Sequence, residues 1–438
     1  MNLLEAYEAF PHVARPIIYK SDALRLGMTF TAEAREEFKR HDDILFKAYW
    51  LFSYDRGDSV TLDDKIPLRF YVDDGTPDGT CIQTRTFDDS PYVIDFVDGE
   101  FVFYYQVDPS ERMRLGRVTF DPLPRYFNLK LDGVPMGAIV QTNGDLLHVT
   151  ISKYCEYFSM GKQCQFCDLT LHASSQKKGG EAMILTKQAE QVAEVLEVAL
   201  HERRFRHIFL TGGTIATRRD GKSDVDRWAE YLNVIRKRLH VWYPTNFQVG
   251  ALDDEGWRKL HDTGVSTVMP NIEVWDKRLF EIICPGKAST VGYDEWIKRT
   301  IRAVDFWGPG NVVPSFVPGV EMAQPFGFKT VDEAVGSMAE GYNFLMSNGV
   351  LPRQGDFWCV EGDSKLAGNE PPPLEYFIRI GEEFLAAREK YGFTSPMFCL
   401  CRVCCENGTE YDWEYWHGSG PSSRQAELQG QEQEVTAR

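Results

Sequence analysis

The sequence predicts an α/β fold: a partial (β/α)6 barrel preceded by a β-rich N-terminal domain and followed by a Cys-rich C-terminal segment. Three observations predict it. Up to about residue 140, aromatic and β-branched runs alternate with Asp-Gly turns. From about 145 to 395, six short apolar runs alternate with stretches of helical periodicity. After the last of those helices, four cysteines fall within seven residues.

The N-terminal part, residues 1–140, opens with one or two helices. It continues through KIPLRFYVDDGTPDG, SPYVIDFVDGEFVFYYQVD and RLGRVTFDPLPRYFNLKLDG, the pattern of an antiparallel sheet. Residues 141–395 carry the strand candidates LLHVTIS, RHIFLTGG, FQVGAL, VSTVMPNIEV, NVVPSFVPGV and GDFWCVEG. Between them lie amphipathic segments such as LTKQAEQVAEVLEVALHE and DVDRWAEYLNVIRKRL. Strands alternating with helices imply right-handed crossovers and a parallel sheet, either doubly wound or curved into a barrel, with a ligand site at the carboxyl ends of the strands. Residues 396–417 form the Cys-rich segment. Residues 418–438 are polar, lack aromatics and are expected to be disordered.

At 438 residues and 43% hydrophobic content, the chain can build sizeable cores. A net charge of −17 argues against a nucleic-acid partner, which demands clustered Lys and Arg. No run approaches the roughly 18 apolar residues of a membrane span, and the opening MNLLEAYEAFPHVARP lacks the pattern of a secretion signal, so no membrane association and a cytoplasmic location are expected. Ten cysteines in a reducing compartment are better read as thiolates than as disulfides. Seven of the ten fall in two groups, Cys155/Cys164/Cys167 and Cys399/Cys401/Cys404/Cys405.

The segment TISKYCEYFSMGKQCQFCDLTLHA sets the first group in a Cys-x8-Cys-x2-Cys arrangement, directly after the first barrel strand. Three thiols on one loop can hold three irons of a cubane cluster and leave the fourth open. They can equally form a structural zinc site with His172, five residues beyond Cys167, as the fourth ligand. That zinc site is the basis of an alternative function, a non-catalytic zinc-stabilised binding protein. Glu273 is a site candidate for a separate reason: a carboxylate within an apolar strand is costly unless partnered.

Over residues 145 to 395 the chain resembles the radical S-adenosylmethionine superfamily. Phe166, just before Cys167, matches the family's aromatic residue near the adenine. Thr211-Gly212-Gly213-Thr214 looks like its Gly-Gly-Glu segment, whose backbone receives the cofactor's amino group. Asn271-Ile-Glu273-Val and Cys284-Pro-Gly-Lys287 look like the corresponding strand and helix of the biotin-synthase-like branch. VVPSFVPGVE resembles the adenine-binding strand and puts Val317 and Gly319 beneath the base. There are departures: eight residues rather than three separate the first two cysteines, and Thr214 stands where the family has an acid. The family's carboxylate-binding Arg falls at Trp296, with Lys298 or Arg299 as substitutes.

The resemblance implies a [4Fe–4S] cluster on Cys155, Cys164 and Cys167, with S-adenosylmethionine at the open iron. It further implies reductive cleavage to a 5′-deoxyadenosyl radical, a small-molecule substrate, and an electron donor such as flavodoxin or ferredoxin. Cys399, Cys401, Cys404 and Cys405 admit three readings: ligands of a second metal or cluster, a soft-ligand substrate site, or incidental thiols. Under the second they are the candidate catalytic residues. That reading carries a further alternative, 3-amino-3-carboxypropyl transfer to a thiophilic acceptor such as trivalent arsenic, as in proteins proposed for arsinothricin biosynthesis.

Overall fold

The computed structural model describes residues 1–47, 65–76, 79–169, 184, 186–218, 221–240, 244–360, 364–393 and 406–418. The cysteines at 399, 401, 404 and 405, the tail from 419 and His172 lie outside them.

Three short helices, Leu3–Ala9, Arg15–Leu26 and Ala32–Phe38, pack against a six-stranded sheet. Its strands are β1 (Thr29–Phe30), β2 (Arg69–Asp73), β3 (Thr80–Gln83), β4 (Tyr92–Val97), β5 (Glu100–Asp108) and β6 (Glu111–Thr119), in the order β1-β4-β5-β6-β2-β3. All pairs are antiparallel except β1 with β4. The expected Asp-Gly turns are present. Asp98 and Gly99, at φ 53° and 84°, reverse the chain between β4 and β5, as a tight hairpin requires. Asp132 and Gly133 do the same between β7 (Lys130–Leu131) and β8 (Val134–Pro135).

The second sheet is the curled, partial barrel. β9 (Gln141–Asn143) turns back antiparallel onto β10 (Leu146–Thr150), after which β11 (His207–Thr211), β12 (Thr245–Gln248) and β13 (Thr267–Met269) run parallel. Every residue of β10 is buried, the signature of a strand covered on both faces. The crossover helices Ala189–Leu200 and Asp224–Leu239 supply the outer layer. Ser223 caps the second, accepting from the Asp226 N–H while the Asp226 carboxylate accepts from the Ser223 N–H.

Beyond β13 the expected fifth and sixth strands shrink to isolated parallel bridges, Val268 with Val312, Glu273 with Phe316 and Ser315 with Arg353. Proline is the physical reason. Pro270, Pro314, Pro318 and Pro352 lack the N–H that a ladder needs. The bridge in place of the sixth strand falls at Arg353, upstream of the expected GDFWCVEG.

The apolar core is continuous, joining Phe70 and Phe103 of the first sheet to Leu147, Ile208 and Phe247 of the second. Buried polar ties add to it. Arg69 on β2 pairs with Glu406 at 2.9 Å, Lys20 with Asp412 at 2.6 Å, and Arg85 donates to the Phe357 carbonyl at 2.9 Å. No helix among the described residues is long and apolar enough to cross a membrane.

Candidate active site

At the carboxyl ends of the parallel strands lies a cavity of about 320 Å³. Every site residue expected within the described part of the barrel lines it, namely Cys155, Cys164, Cys167, Phe166, Gly212, Gly213, Thr214, Glu273 and Val317. Gly319 is the exception among the residues of the adenine-strand pattern. Its N–H is bonded to Glu321 at 2.9 Å and to the Tyr376 hydroxyl at 3.1 Å, and it does not face the cavity.

The cysteine loop leaves β10 and is held against the end of β11. The Gly213 N–H donates to the Ser152 carbonyl at 2.9 Å, and the Glu156 N–H, next to Cys155, donates to the Thr214 carbonyl at 2.8 Å. The Glu156 carboxylate accepts from the Thr217 N–H at 2.8 Å and its hydroxyl at 2.7 Å. Gly213 is required by this approach: a Cβ there would stand 2.2 Å from the Tyr154 carbonyl oxygen. The Gly-Gly pair is therefore first a device that brings two loops together.

Across the cavity, Glu273 sits at φ 71°, a left-handed conformation rarely adopted by a side-chain-bearing residue. Its backbone is held on both sides. The Glu273 N–H donates to the Ser315 carbonyl at 3.0 Å, and the Glu273 carbonyl accepts from the Val317 N–H at 2.8 Å. Its carboxylate has the partner that burial demands, because Lys287 Nζ donates to Glu273 Oε1 at 2.5 Å and to the Asn271 carbonyl at 2.8 Å. Lys287 also lies 4.8 Å over the Trp296 ring, a cation–π contact. Burial works against its charge, but Glu273 and the nearby Cys164 and Cys284 sulfurs together raise its pKa above the ordinary lysine value, so Lys287 is a cation.

Lys287 lines this cavity, as does Arg353, and neither Lys298 nor Arg299 does. Lys298 and Arg299 pair with Glu295 on the outer face of the helix Tyr293–Arg302, at 3.4 and 2.9 Å. The sequence signal for Lys287 was Cys284-Pro-Gly-Lys287 itself, in which Pro285 opens a helix whose first turn carries the lysine.

Burial pushes the Cys155 and Cys167 thiols up. Cys164 is held below the ordinary thiol range by a hydrogen bond from the fully buried Cys284. Among the described residues no three His, Cys, Asp or Glu side chains converge on a single-ion site. A cubane makes no such demand, since each thiolate takes its own iron. Three thiols facing one cavity with a cation and a carboxylate opposite therefore fit a cluster and a zwitterionic cofactor.

The cavity is also lined by Phe209, Phe316, Phe357 and Trp358, and by Glu406 and Asn407. His148 stacks on Phe209 at 5.2 Å, and burial pushes its pKa down to about 3, which makes it a neutral wall residue rather than an acid. Sequence reasoning missed His148, Glu406 and Asn407, whose approach to the cavity depends on long-range packing.

No family model matches the chain. In sequence it is similar to the bacteriochlorophyllide c C-7(1)-hydroxylase of Chlorobaculum limnaeum, 23% identical over 312 residues that cover 67% of this chain and 72% of the relative. Among solved structures, methylornithine synthase is similar at a TM-score of 0.35 and 14% identity, covering 59% of this chain and 72% of that one. The [FeFe]-hydrogenase maturase HydG gives 0.39 and 13%, covering 60% and 56%. The coproporphyrinogen III oxidase of Escherichia coli, described as a radical SAM enzyme, gives 0.36 and 11%, covering 61% and 57%. The resemblance to the radical S-adenosylmethionine enzymes rests on the residues of the cysteine loop and the Gly-Gly segment, which line one cavity.

Proposed function

We propose that the chain is a radical S-adenosylmethionine enzyme acting on a small molecule. The carrying observation is the convergence of Cys155, Cys164 and Cys167 with Gly212–Thr214, Glu273, Lys287 and Val317 on one cavity. The three cysteines would hold a [4Fe–4S] cluster, and S-adenosylmethionine would lie between them and Lys287. When bound, the pair supplies a one-electron reductive cleavage of the cofactor, which calls for an external donor of the flavodoxin or ferredoxin type.

The chain's own part is binding, orientation and exclusion of water. Lys287 has donors suited to a carboxylate, and Glu273 offers an acceptor to the cofactor's N–H or O–H groups. The backbone of Gly213 and Thr214 offers carbonyls to an ammonium, and Phe166 and Val317 give apolar surface for a base. The aromatic wall of Phe209, Phe316, Phe357 and Trp358 favours an apolar, ring-bearing substrate. Hydrogen abstraction from a carbon of such a substrate is the reaction proposed, in keeping with a relative named as a hydroxylase of bacteriochlorophyllide c. Anaerobic reconstitution with iron and sulfide tests the cofactor assignment. The wild type is expected to take up about four irons per chain, and Cys155→Ala, Cys164→Ala and Cys167→Ala each to lose them. A colourless protein that retains zinc and no iron overturns it.

A further inference from the structure

The cavity runs the full length of β10. Leu146, His148 and Thr150, alternate residues of that strand, line it, and Leu147 and Val149 do not. Thr150 ends the strand on the side of the cysteine loop, whereas Leu146 begins it and is paired with Asn143 of β9. At about 3.3 Å per residue, Leu146 and Asn143 lie roughly 13 Å along the strand from Thr150, on the side away from Cys155.

A polar floor is built there from three parts of the chain. Asn143 Nδ2 donates to Glu406 Oε1 at 3.4 Å, and Glu406 pairs with Arg69 of β2 at 2.9 Å. The Glu406 carbonyl accepts from the Gln83 N–H of β3 at 3.2 Å, and the Asn407 carbonyl accepts from the Phe357 N–H at 2.8 Å. Asn143 and Asn407 are only 8% and 6% exposed, both line the cavity, and the side-chain oxygen of each has no hydrogen-bond partner among the described residues. Buried polar oxygens are ordinarily paired, so two of them on one cavity call for a donor from outside the chain. The charges nearby are already matched. Arg69 faces Glu406 and Asp121, and Arg353, also on the cavity wall, pairs with Glu410 at 3.4 Å. A neutral donor suits this floor better than an anion.

Resting on the function proposed above, we infer that Asn143 and Asn407 form an anchoring subsite that accepts hydrogen bonds from an uncharged N–H or O–H group of a ring-bearing substrate. The rings then lie along Phe209, which is level with His148 between the two ends of β10, and the reacting carbon points to the cysteine end.

The test uses indole as the probe, with 1-methylindole, which has the same ring system and no N–H, as its matched control and benzoate as a ring-bearing anion. Equilibrium dialysis measures each against the full-length protein, iron-loaded and iron-free, as wild type, Asn143→Leu and Asn407→Leu. The wild type should bind indole roughly tenfold more tightly than 1-methylindole, the worth of one buried hydrogen bond. Each leucine variant should narrow that ratio by weakening indole and leaving 1-methylindole unchanged. Equal affinities for indole and 1-methylindole in the wild type, or no binding of indole, overturn the inference, and this comparison does not depend on the variants folding. So does a ratio that both variants preserve, or tighter binding of benzoate than of indole, which would make the subsite an anion site at Arg353. A wild type that takes up no iron yet discriminates the probes overturns the proposed function alone; an iron-loaded wild type that does not discriminate them overturns the inference alone.

Discussion

At Gly213 the fold and the proposed chemistry meet in one missing methyl group. Its place is 2.2 Å from the Tyr154 carbonyl oxygen and 2.7 Å from Cys155 Cα, so Gly213→Ala must push the cysteine loop away from β11. Overpacking of this kind costs about 1–3 kcal/mol. The variant is expected to melt at a lower temperature and to bind less iron, both read on the reconstituted protein. Lys287 makes the second residue-scale prediction. Replacing it by methionine keeps the stem over Trp296 but removes the cation, and S-adenosylmethionine should bind roughly 10- to 100-fold more weakly by calorimetry, the worth of a charged hydrogen bond. Lys298→Met, on the outer helix face, should bind it as the wild type does. The cysteines and glycines of this site were legible in the sequence because cysteine spacing is local and a Gly-Gly pair marks a place where backbone can approach closely. Lys287 was not assigned because its role depends on a pairing with Glu273 that spans 14 residues and a helix turn.

Among the elements, the fifth strand shows where local reading fails. NVVPSFVPGV has the composition of a buried strand, yet Pro314 and Pro318 break its ladder, and only single bridges at Val312, Ser315 and Phe316 remain. What holds the segment is a side chain the pattern did not mark. Glu321, buried, accepts from the Gly319 N–H at 2.9 Å and from the Tyr376 hydroxyl. Burial pushes its pKa from 4.5 up to about 7, against the opposing effect of the Tyr376 hydrogen bond. The folded state thus binds its proton more tightly than the unfolded one. Its contribution to stability is full below about pH 4.5 and is lost as pH rises towards about 7. Glu406 and Asp224, pushed up to about 7 and about 6 by burial, act in the same sense. Denaturant titrations between those pH values should therefore show Glu321→Gln losing less stability with rising pH than the wild type, a reduced slope rather than a flat one. Equal slopes would contradict the buried, proton-holding carboxyl.

Over the whole molecule, the three segments that composition distinguished share one core and a set of buried ion pairs. Arg69, fully buried on β2, faces Glu406 at 2.9 Å and Asp121 at 3.2 Å. Removing it strands two buried carboxylates, so Arg69→Ala should lower the unfolding free energy by about 3–5 kcal/mol in a denaturant melt. A change under about 1 kcal/mol, the worth of a surface pair, would contradict that burial. Composition separated a β-rich part from an α/β part because strand and helix periods differ along the chain. It could not show that Asn143, Glu406 and Asn407, drawn from either side of the barrel, line the cavity that Cys155 opens onto, since periodicity carries no record of which distant segments meet.

The most direct measurement is of the products formed when the reconstituted protein is given dithionite and S-adenosylmethionine without oxygen. Formation of 5′-deoxyadenosine by the wild type, and none by Cys164→Ala, is the result predicted. No cleavage of S-adenosylmethionine by an iron-loaded wild type, or 5′-methylthioadenosine in place of 5′-deoxyadenosine, would contradict the proposed radical chemistry.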